Sequence, residues 1–192
     1  KIPFVLIGRH FDPVEMDHVI TDDIEGAFVA TEYLIKKGHK KILMVNGPSY
    51  TSCARERMMG YKKALMEHNI KFDSELLKEG NLRMEDGYMT TKKALQSGLN
   101  FTAIFAFSDL VAFGVIKALK EYGYKIPDDI AIVGYDDIDF GFSVGFRLTT
   151  VHIPKYRMGS EAMKLLNDRI NRGVDKPQKI ILPTKLIVGE SA

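Results

Sequence analysis

Short apolar runs that show no alternation of polar and apolar residues constrain the fold of this chain most strongly. Two of them, at 103–107 and 130–135, flank a helical segment with one apolar stripe. A strand that is apolar on both sides must be covered on both faces, which is typical of parallel strands in βαβ units. A third run at 41–45 also precedes a helical segment. This alternation continues through nearly the whole chain and predicts a doubly wound parallel α/β sheet.

The same periodicities predict the order of the elements along the chain. Strands are expected at 4–7, 18–21, 41–45, 76–80, 103–107, 130–135 and 148–153, with an edge strand or a pair at 180–182 and 186–188. Helices are expected at 24–37, 51–69, 84–96, from Ser108 or Asp109 to Gly123, and at 154–173. A strand that begins only four residues into the chain predicts that a preceding piece of the protein is missing.

Composition excludes several functional classes. The 192 residues carry a net charge of +2 with basic residues scattered along helices, which does not indicate a nucleic-acid surface. The single cysteine, Cys53, excludes an internal disulfide framework and favours a reducing, cytoplasmic compartment. No apolar stretch approaches the length of a membrane span, so no membrane partner is expected.

Polar side chains follow the predicted strands at one edge of the sheet. Ser108 follows the run at 103–107, and Asp136 follows the run at 130–135. Arg57 lies on the helix after the strand at 41–45, so it is expected at the same edge, where ligands of open α/β sheets bind. A guanidinium and a carboxylate across one cleft are suited to holding a polyol through paired hydrogen bonds. The alternatives are a solvated arginine and an Asp136 that caps the next turn.

One enzyme motif occurs, but its context does not fit. Residues 141–145 read G-x-S-x-G, the pattern of a hydrolase nucleophile elbow with Ser143 as nucleophile. The segment after it is predicted to be extended, and His152 follows without an intervening carboxylate, so the required order fails. A glycine-rich turn and a subunit interface built on Phe140, Phe142 and Phe146 remain as alternatives. The sequence contains no phosphate-binding loop and no metal-ligand spacing, so no cofactor or metal is expected.

Five linked segments carry a resemblance to a known family. They read SDLVAFGVIKALKEYGYKIPDDIAIVGYDDI, VITDDIEGAFVATEYLIKKGHKKILMVNGP, ERMMGYKKAL, LTTVHIPKYRMGSEAMKLL and LPTKLIVGES. Together they resemble the effector-binding domain of lac-repressor and galactose-repressor type transcription regulators, over essentially the whole chain. The resemblance implies a periplasmic-binding-protein-like fold of two lobes, with a small molecule between them. Residues 1–21 and 152–172 would be a remnant of the N-terminal lobe, and 22–151 with 173–192 a nearly complete C-terminal lobe.

The resemblance also implies which residues would contact the small molecule. Arg57 and Asp136 would hydrogen-bond to it, and Thr51 and Cys53 would line the pocket. Asp22 lies at the first crossing between the lobes. Ser108 stands where the family often has asparagine, and Leu82 stands where an aromatic side chain often stacks on the ligand. The full predicted set is Asp22, Thr51, Cys53, Arg57, Leu82, Ser108 and Asp136.

The function implied is that of a small-molecule sensor, with a sugar as the expected effector, in a bacterial transcription regulator that is not an enzyme. The chain would form a homodimer through Phe113, Lys117, Phe140 and Phe142, and would reach operator DNA through an N-terminal domain absent from this sequence. Two alternatives are a periplasmic sugar-binding protein of a transporter, which shares the architecture, and a serine hydrolase that uses Ser143.

Overall fold

The structure is a computed structural model that describes residues 2–11, 15–138, 145–172 and 176–192. Its strands are β1 (Leu6–Ile7), β2 (His18–Thr21), β3 (Ile42–Asn46), β4 (Leu77–Glu79), β5 (Ala103–Ala106), β6 (Ala131–Val133), β7 (Thr150–His152), β8 (Lys179–Leu182) and β9 (Lys185–Ile187). Its helices are α1 (Asp23–Lys36), α2 (Ser52–Glu67), α3 (Met84–Gln96), α4 (Asp109–Glu121) and α5 (Lys155–Arg172).

The larger sheet has four parallel strands in the order β4-β3-β5-β6. Alternate residues of its strands point to opposite faces, and both sets are buried. Leu43 and Ile104 pack with α3 and α4, whereas Met44, Phe105 and Val133 pack with α1 and α2. Because apolar residues occupy both faces, two helical layers are needed to exclude water. The predicted doubly wound α/β class is therefore confirmed.

A smaller sheet pairs β1, β2 and β8 in parallel. Helix α5 covers one face of this sheet, where Val19, Met158, Leu165 and Leu182 form one cluster. An antiparallel pair, β7 with β9, lies beside the larger sheet through a bridge between Val133 and Thr149. Strand pairing therefore groups β8 with β1 and β2, and β9 with β7, while the division into two lobes remains a prediction.

Several elements depart from the sequence prediction for physical reasons. The predicted buried strand at 4–7 is reduced to two residues, which form an edge strand of the smaller sheet, and Ile7 is 49% exposed. Strand β6 ends at Val133, short of the predicted 130–135, and Gly134 after it lies against the Asp109 carboxylate, where a Cβ would come within 2.2 Å of Oδ1. The prediction for 76–80 missed a 3-10 turn, Ser74–Leu76, that precedes β4.

Helix α1 crosses α2 at a glycine, which sets how closely the two helices approach. A Cβ on Gly60 of α2 would lie 2.1 Å from the Ile24 carbonyl oxygen of α1. That oxygen belongs to the helix backbone and cannot rotate away. Close packing of α1 on α2 therefore requires a residue without a side chain at position 60.

We expect Gly60→Ala to lower the free energy of unfolding by about 1–3 kcal/mol, because the added methyl group forces the two helices apart. The matched control is Gly159→Ala on α5, where a Cβ would meet nothing within 4 Å. Alanine there should stabilise the protein by up to about 1 kcal/mol through helix propensity alone. Urea denaturation of both variants measures the difference, and equal stability of the two would contradict this account of the crossing.

Candidate functional site

Arg57 lies in the first two turns of α2, at the carboxyl-terminal edge of the larger sheet, and only 5% of it is exposed. Its Nε donates a hydrogen bond to Oδ1 of Asp23 at 3.2 Å, and Nη1 donates to the backbone oxygen of Phe107. Its Nη2 lies 3.8 Å from Oδ1 of Asp136, which is within ion-pair range but longer than a hydrogen bond. Three segments distant in sequence therefore converge on one guanidinium.

Two aromatic rings enclose the same guanidinium. Its central carbon lies 3.5 Å from the ring centroid of Tyr135 and 4.5 Å from that of Phe107. Contact with a desolvated ring face adds a cation–π attraction to the ion pairs. Burial by itself lowers the pKa of Arg57, but the nearby Asp23, Tyr135 and Asp136 together outweigh it and raise that pKa. Arg57 is thus a permanently charged and rigidly oriented donor.

Asp136 sits on a turn with unfavourable backbone geometry. It has φ 103°, and the next residue, Asp137, has φ 53°. Left-handed conformations of residues other than glycine cost about 1–3 kcal/mol each, so surrounding contacts must hold them. The Asp136 amide donates to the Val151 oxygen at 2.8 Å, and the Asp137 amide lies 3.4 Å from Oγ1 of Thr150. These contacts with β7 direct the Asp136 carboxylate, whose side chain is 24% exposed, toward Arg57.

An apolar surface adjoins these charges. Cys53, Ala54 and Phe107 are buried together, and Leu82 packs against them. Gly47, in the turn after β3, lets the chain pass this cluster, because a Cβ there would come within 2.9 Å of the Phe107 ring and 3.0 Å of Leu82. The site therefore pairs an apolar surface with a charged hydrogen-bonding edge, as small-molecule sites commonly do.

The remaining predicted site residues already serve local structure. Thr51 donates from Oγ1 to the Pro48 carbonyl at 2.8 Å. Ser108 is buried, and its Oγ accepts from the Val111 amide at 3.3 Å as the N-cap of α4. Asp22 is exposed and caps α1 by accepting from the Glu25 amide at 2.9 Å.

Asp23, the closest carboxylate to Arg57, was not among the predicted site residues. The signal that could have found it is the Asp22-Asp23 pair directly after the strand at 18–21. One of these carboxylates caps the helix, which leaves the other to turn inward. Asp23 is only 3% exposed and also accepts from Thr21 Oγ1 at 3.4 Å.

The predicted interface residues fall in different surroundings. Phe113 lies on α4, is 8% exposed and packs into the core, whereas Lys117 on the same helix is exposed with its ammonium 5.1 Å from the Tyr88 ring centroid. Phe140, Phe142 and Ser143 lie outside the described residues.

His152 faces an acidic side chain, because its Nδ1 lies 2.8 Å from the Asp137 carboxylate. Within the described ranges, no group of three or more histidine, cysteine or acidic residues could hold a metal ion. None of the helices in the described ranges is both long enough and apolar enough to span a bilayer.

Comparison with known proteins places this arrangement in a family. The profile of the periplasmic binding protein-like domain matches residues 31–192. The chain belongs to this family. It is 36% identical over 169 residues to the HTH-type transcriptional repressor PurR of Vibrio atlanticus (strain LGP32), covering 88% of this chain and 51% of the relative. The domain therefore spans about half the length of the curated relatives it matches.

Solved structures agree with the family assignment. A transcriptional regulator CelR–cellobiose complex matches this domain with a TM-score of 0.94 and 32% identity, covering 99% of this chain and 59% of that chain. A LacI family transcriptional regulator from Enterococcus faecium with bound ribose gives 0.88 and 31%, covering 99% and 70%. These proteins are transcription regulators, so the predicted resemblance to effector-binding domains is confirmed, and the transporter alternative gains no support.

A buried carboxylate supports the Asp136 turn of this domain from below. Asp109, the first residue of α4, is fully buried. Its Oδ1 accepts from Thr150 Oγ1 at 2.6 Å, and its Oδ2 accepts from the Ile138 amide at 2.7 Å. Burial raises the pKa of the Asp109 carboxyl from its ordinary 3.8 to about 7, and its two hydrogen bonds only partly oppose this. Asp109 therefore joins α4, β7 and the turn through one titratable group.

Stability should depend on pH through Asp109. The folded state holds the Asp109 proton more tightly than the unfolded state does, so this stabilising contribution is complete below about pH 4 and is lost as pH rises through about 7. The free energy of unfolding of wild type, minus that of Asp109→Asn, should fall by at most about 1.4 kcal/mol per pH unit as pH rises across that window. At higher pH the difference should level off. Urea denaturation at a series of pH values measures it. A difference independent of pH would contradict the raised pKa.

Proposed function

We propose that this chain is the effector-binding domain of a bacterial transcription regulator, and that a sugar is its effector. The observation that carries the proposal is the Arg57 guanidinium, fixed by Asp23 and Phe107 with one end directed toward Asp136 at the carboxyl-terminal edge of the sheet. A fixed donor beside an acceptor suits adjacent hydroxyl groups, each of which can both donate and accept. Family membership and the cellobiose and ribose complexes of the neighbours support this class of ligand.

The charges near Arg57 favour a neutral ligand over a phosphorylated one. Arg57 and Lys155 are cationic, whereas Asp23, Asp136 and Asp137 are acidic. Arg57 already lies within 4 Å of two of those carboxylates, so its charge is largely compensated. An anionic group brought to this edge would meet no excess of positive charge, whereas sugar hydroxyl groups would bring no charge of their own.

The adjoining apolar surface fits the same class of ligand. Cys53, Phe107 and Leu82 present carbon and sulfur atoms beside the polar edge. A pyranose or furanose ring has C–H faces as well as hydroxyl groups, so it can contact both surfaces at once. Thr51 would contribute through the first turn of α2, and Asp22 and Ser108 would contribute at the margins of the site while keeping their capping roles.

In this proposal the ligand acts by changing the balance between two arrangements of the protein. The smaller sheet with α5 would form part of one lobe, the larger sheet would form the other, and the ligand would favour the arrangement to which it binds more tightly. The full-length protein would be a cytoplasmic homodimer that reaches operator DNA through a domain outside this sequence. Binding, and not catalysis, would be its activity.

The test is calorimetry of the full-length protein with a panel of sugars that includes cellobiose and ribose. We expect Asp136→Asn to weaken the binding of the recognised sugar by about tenfold or more, because an amide replaces a charged acceptor. Arg57→Lys should weaken it similarly, because an ammonium cannot reproduce the fork held by Asp23 and Phe107.

The matched control is Asp128→Asn, which makes the same chemical change at an exposed position on the segment before β6. It should leave affinity unchanged. If wild type binds a sugar and both site variants retain its affinity, the site assignment is wrong. If no sugar binds wild type, the proposed ligand class is wrong.

A second measurement separates a regulator from a transporter-linked binding protein. We expect the affinity of the full-length protein for DNA from its own promoter to change when the recognised sugar is added, as measured by fluorescence anisotropy. A protein that binds the sugar but shows no affinity for that DNA at low salt would favour the transporter alternative.

A further inference from the structure

Lys155 makes an unusual contact across the site. It is the first residue of α5, and its ammonium donates hydrogen bonds to the backbone oxygens of both Asp136 and Asp137, the latter at 3.0 Å. Both of those residues have positive φ angles. The ammonium thus contacts the two carbonyl groups whose orientation the strained turn determines.

Helix propensity does not account for a lysine at this position. A positive charge in the first turn of a helix is repelled by the helix dipole. Lys155 directs its charge away from its own helix and onto carbonyl oxygens of another segment. These acceptors offset the repulsion, and the contact therefore has a physical basis outside α5.

The contact joins two separately packed parts of the chain. Helix α5 packs against the smaller sheet through Met158 and Leu165. The Asp136 turn follows β6 of the larger sheet, and Asp109 of α4 and Thr150 of β7 support it. Any shift of the smaller sheet relative to the larger one would therefore move the Lys155 ammonium relative to the turn.

We propose that Lys155 is a positioning residue for the effector: its ammonium holds the Asp136–Asp137 turn so that the Asp136 carboxylate faces the ligand. This inference rests on the proposed function, because Asp136 is there the ligand's acceptor. It adds that affinity depends on α5, an element packed on the other sheet. Lys155 need not touch the ligand to have this effect.

Electrostatics give Lys155 a second effect on Asp136. The charged or titratable groups that face Asp136 from other elements are Arg57 on α2, Asp23 on α1, Asp109 on α4, Lys155 on α5 and His152 on β7, and its chain neighbours are Tyr135 and Asp137. Burial raises the pKa of the Asp136 carboxyl, Asp23 raises it further, and Arg57 and Lys155 lower it. Loss of the ammonium would raise the pKa of the Asp136 carboxyl further, so this carboxyl would become protonated at a higher pH than in wild type.

The test compares Lys155→Met, which keeps the aliphatic chain, with Lys155→Arg, which keeps the charge and the donors. The full-length protein is titrated with cellobiose and with ribose by calorimetry between pH 5 and pH 8. Lys155→Met should weaken binding by about 3- to 10-fold near pH 8. As pH is lowered, the affinity of this variant should begin to fall at a higher pH than that of wild type. Lys155→Arg should restore most of both properties.

The matched control is Lys164→Met, the same change on the same helix, where the ammonium pairs with Glu161 at 3.0 Å. It should leave both affinity and its pH profile unchanged. The proposal would be overturned if Lys155→Met kept wild-type affinity and lost it at the same acidic pH as wild type. So would a weakening that the control shares or that Lys155→Arg fails to reverse.

Amide hydrogen exchange measured without ligand tests whether Lys155 holds the turn, independently of which effector the protein binds. The amides of Asp136, Asp137 and Ile138 should exchange faster in Lys155→Met than in wild type and in the Lys164→Met control. If neither sugar binds wild type, the choice of effector fails, and the exchange rates still decide whether Lys155 holds the turn. Unchanged rates overturn the proposal.

Discussion

The burial of one guanidinium group, that of Arg57, determines how the site of this domain is built. Burying an ion costs several kcal/mol even after the protein relaxes, so a charged group that is 95% buried must be matched by partners already in place. Arg57 obtains them from Asp23 at the start of α1 and from the carbonyl of Phe107 after β5. The helices on one face and the strand ends of the larger sheet must therefore be correctly assembled before the guanidinium can be accommodated.

The partners that this burial requires occupy most of the guanidinium and leave one end of it facing Asp136. Asp23 and Phe107 occupy two corners of the guanidinium, and Tyr135 covers one face of it. The third corner points to Asp136 at 3.8 Å, a separation that stabilises charge without forming a direct hydrogen bond. Asp136 in turn depends on a strained turn that is held by β7, by Asp109 and by Lys155. The Asp136 carboxylate is thus positioned by residues buried beneath its turn or placed on another helix.

Much of the fold could be predicted because its signals are local. The helix at 84–96 and the strand at 18–21 have the predicted bounds, since apolar spacing and the terminating Gly98 define the helix, and a short apolar run before Asp22 and Asp23 defines the strand. The edge of the sheet that carries Arg57 and Asp136 followed from the rule that parallel strands present their carboxyl ends together. Leu82 and Cys53 were implied by family resemblance, and the structure brings them into one cluster.

Other features could not be predicted, because no local pattern encodes them. Asp22 and Asp23 are adjacent and identical in chemistry, and only the packing of α1 on α2 decides which one meets Arg57. Positive φ angles at Asp136 and Asp137 arise from hydrogen bonds with β7, which is distant in sequence. The link from Lys155 to the same turn likewise depends on how α5 packs against the smaller sheet.

The sequence by itself determined the class of fold, the order of elements and the edge of the sheet where polar groups collect, because apolar periodicity and strand direction are properties of local segments. The tertiary structure alone decided which carboxylate neutralises Arg57, which backbone groups are strained and which helix supports them. Those outcomes depend on distances between segments far apart in the chain, and electrostatic and hydrogen-bond energies change steeply with such distances.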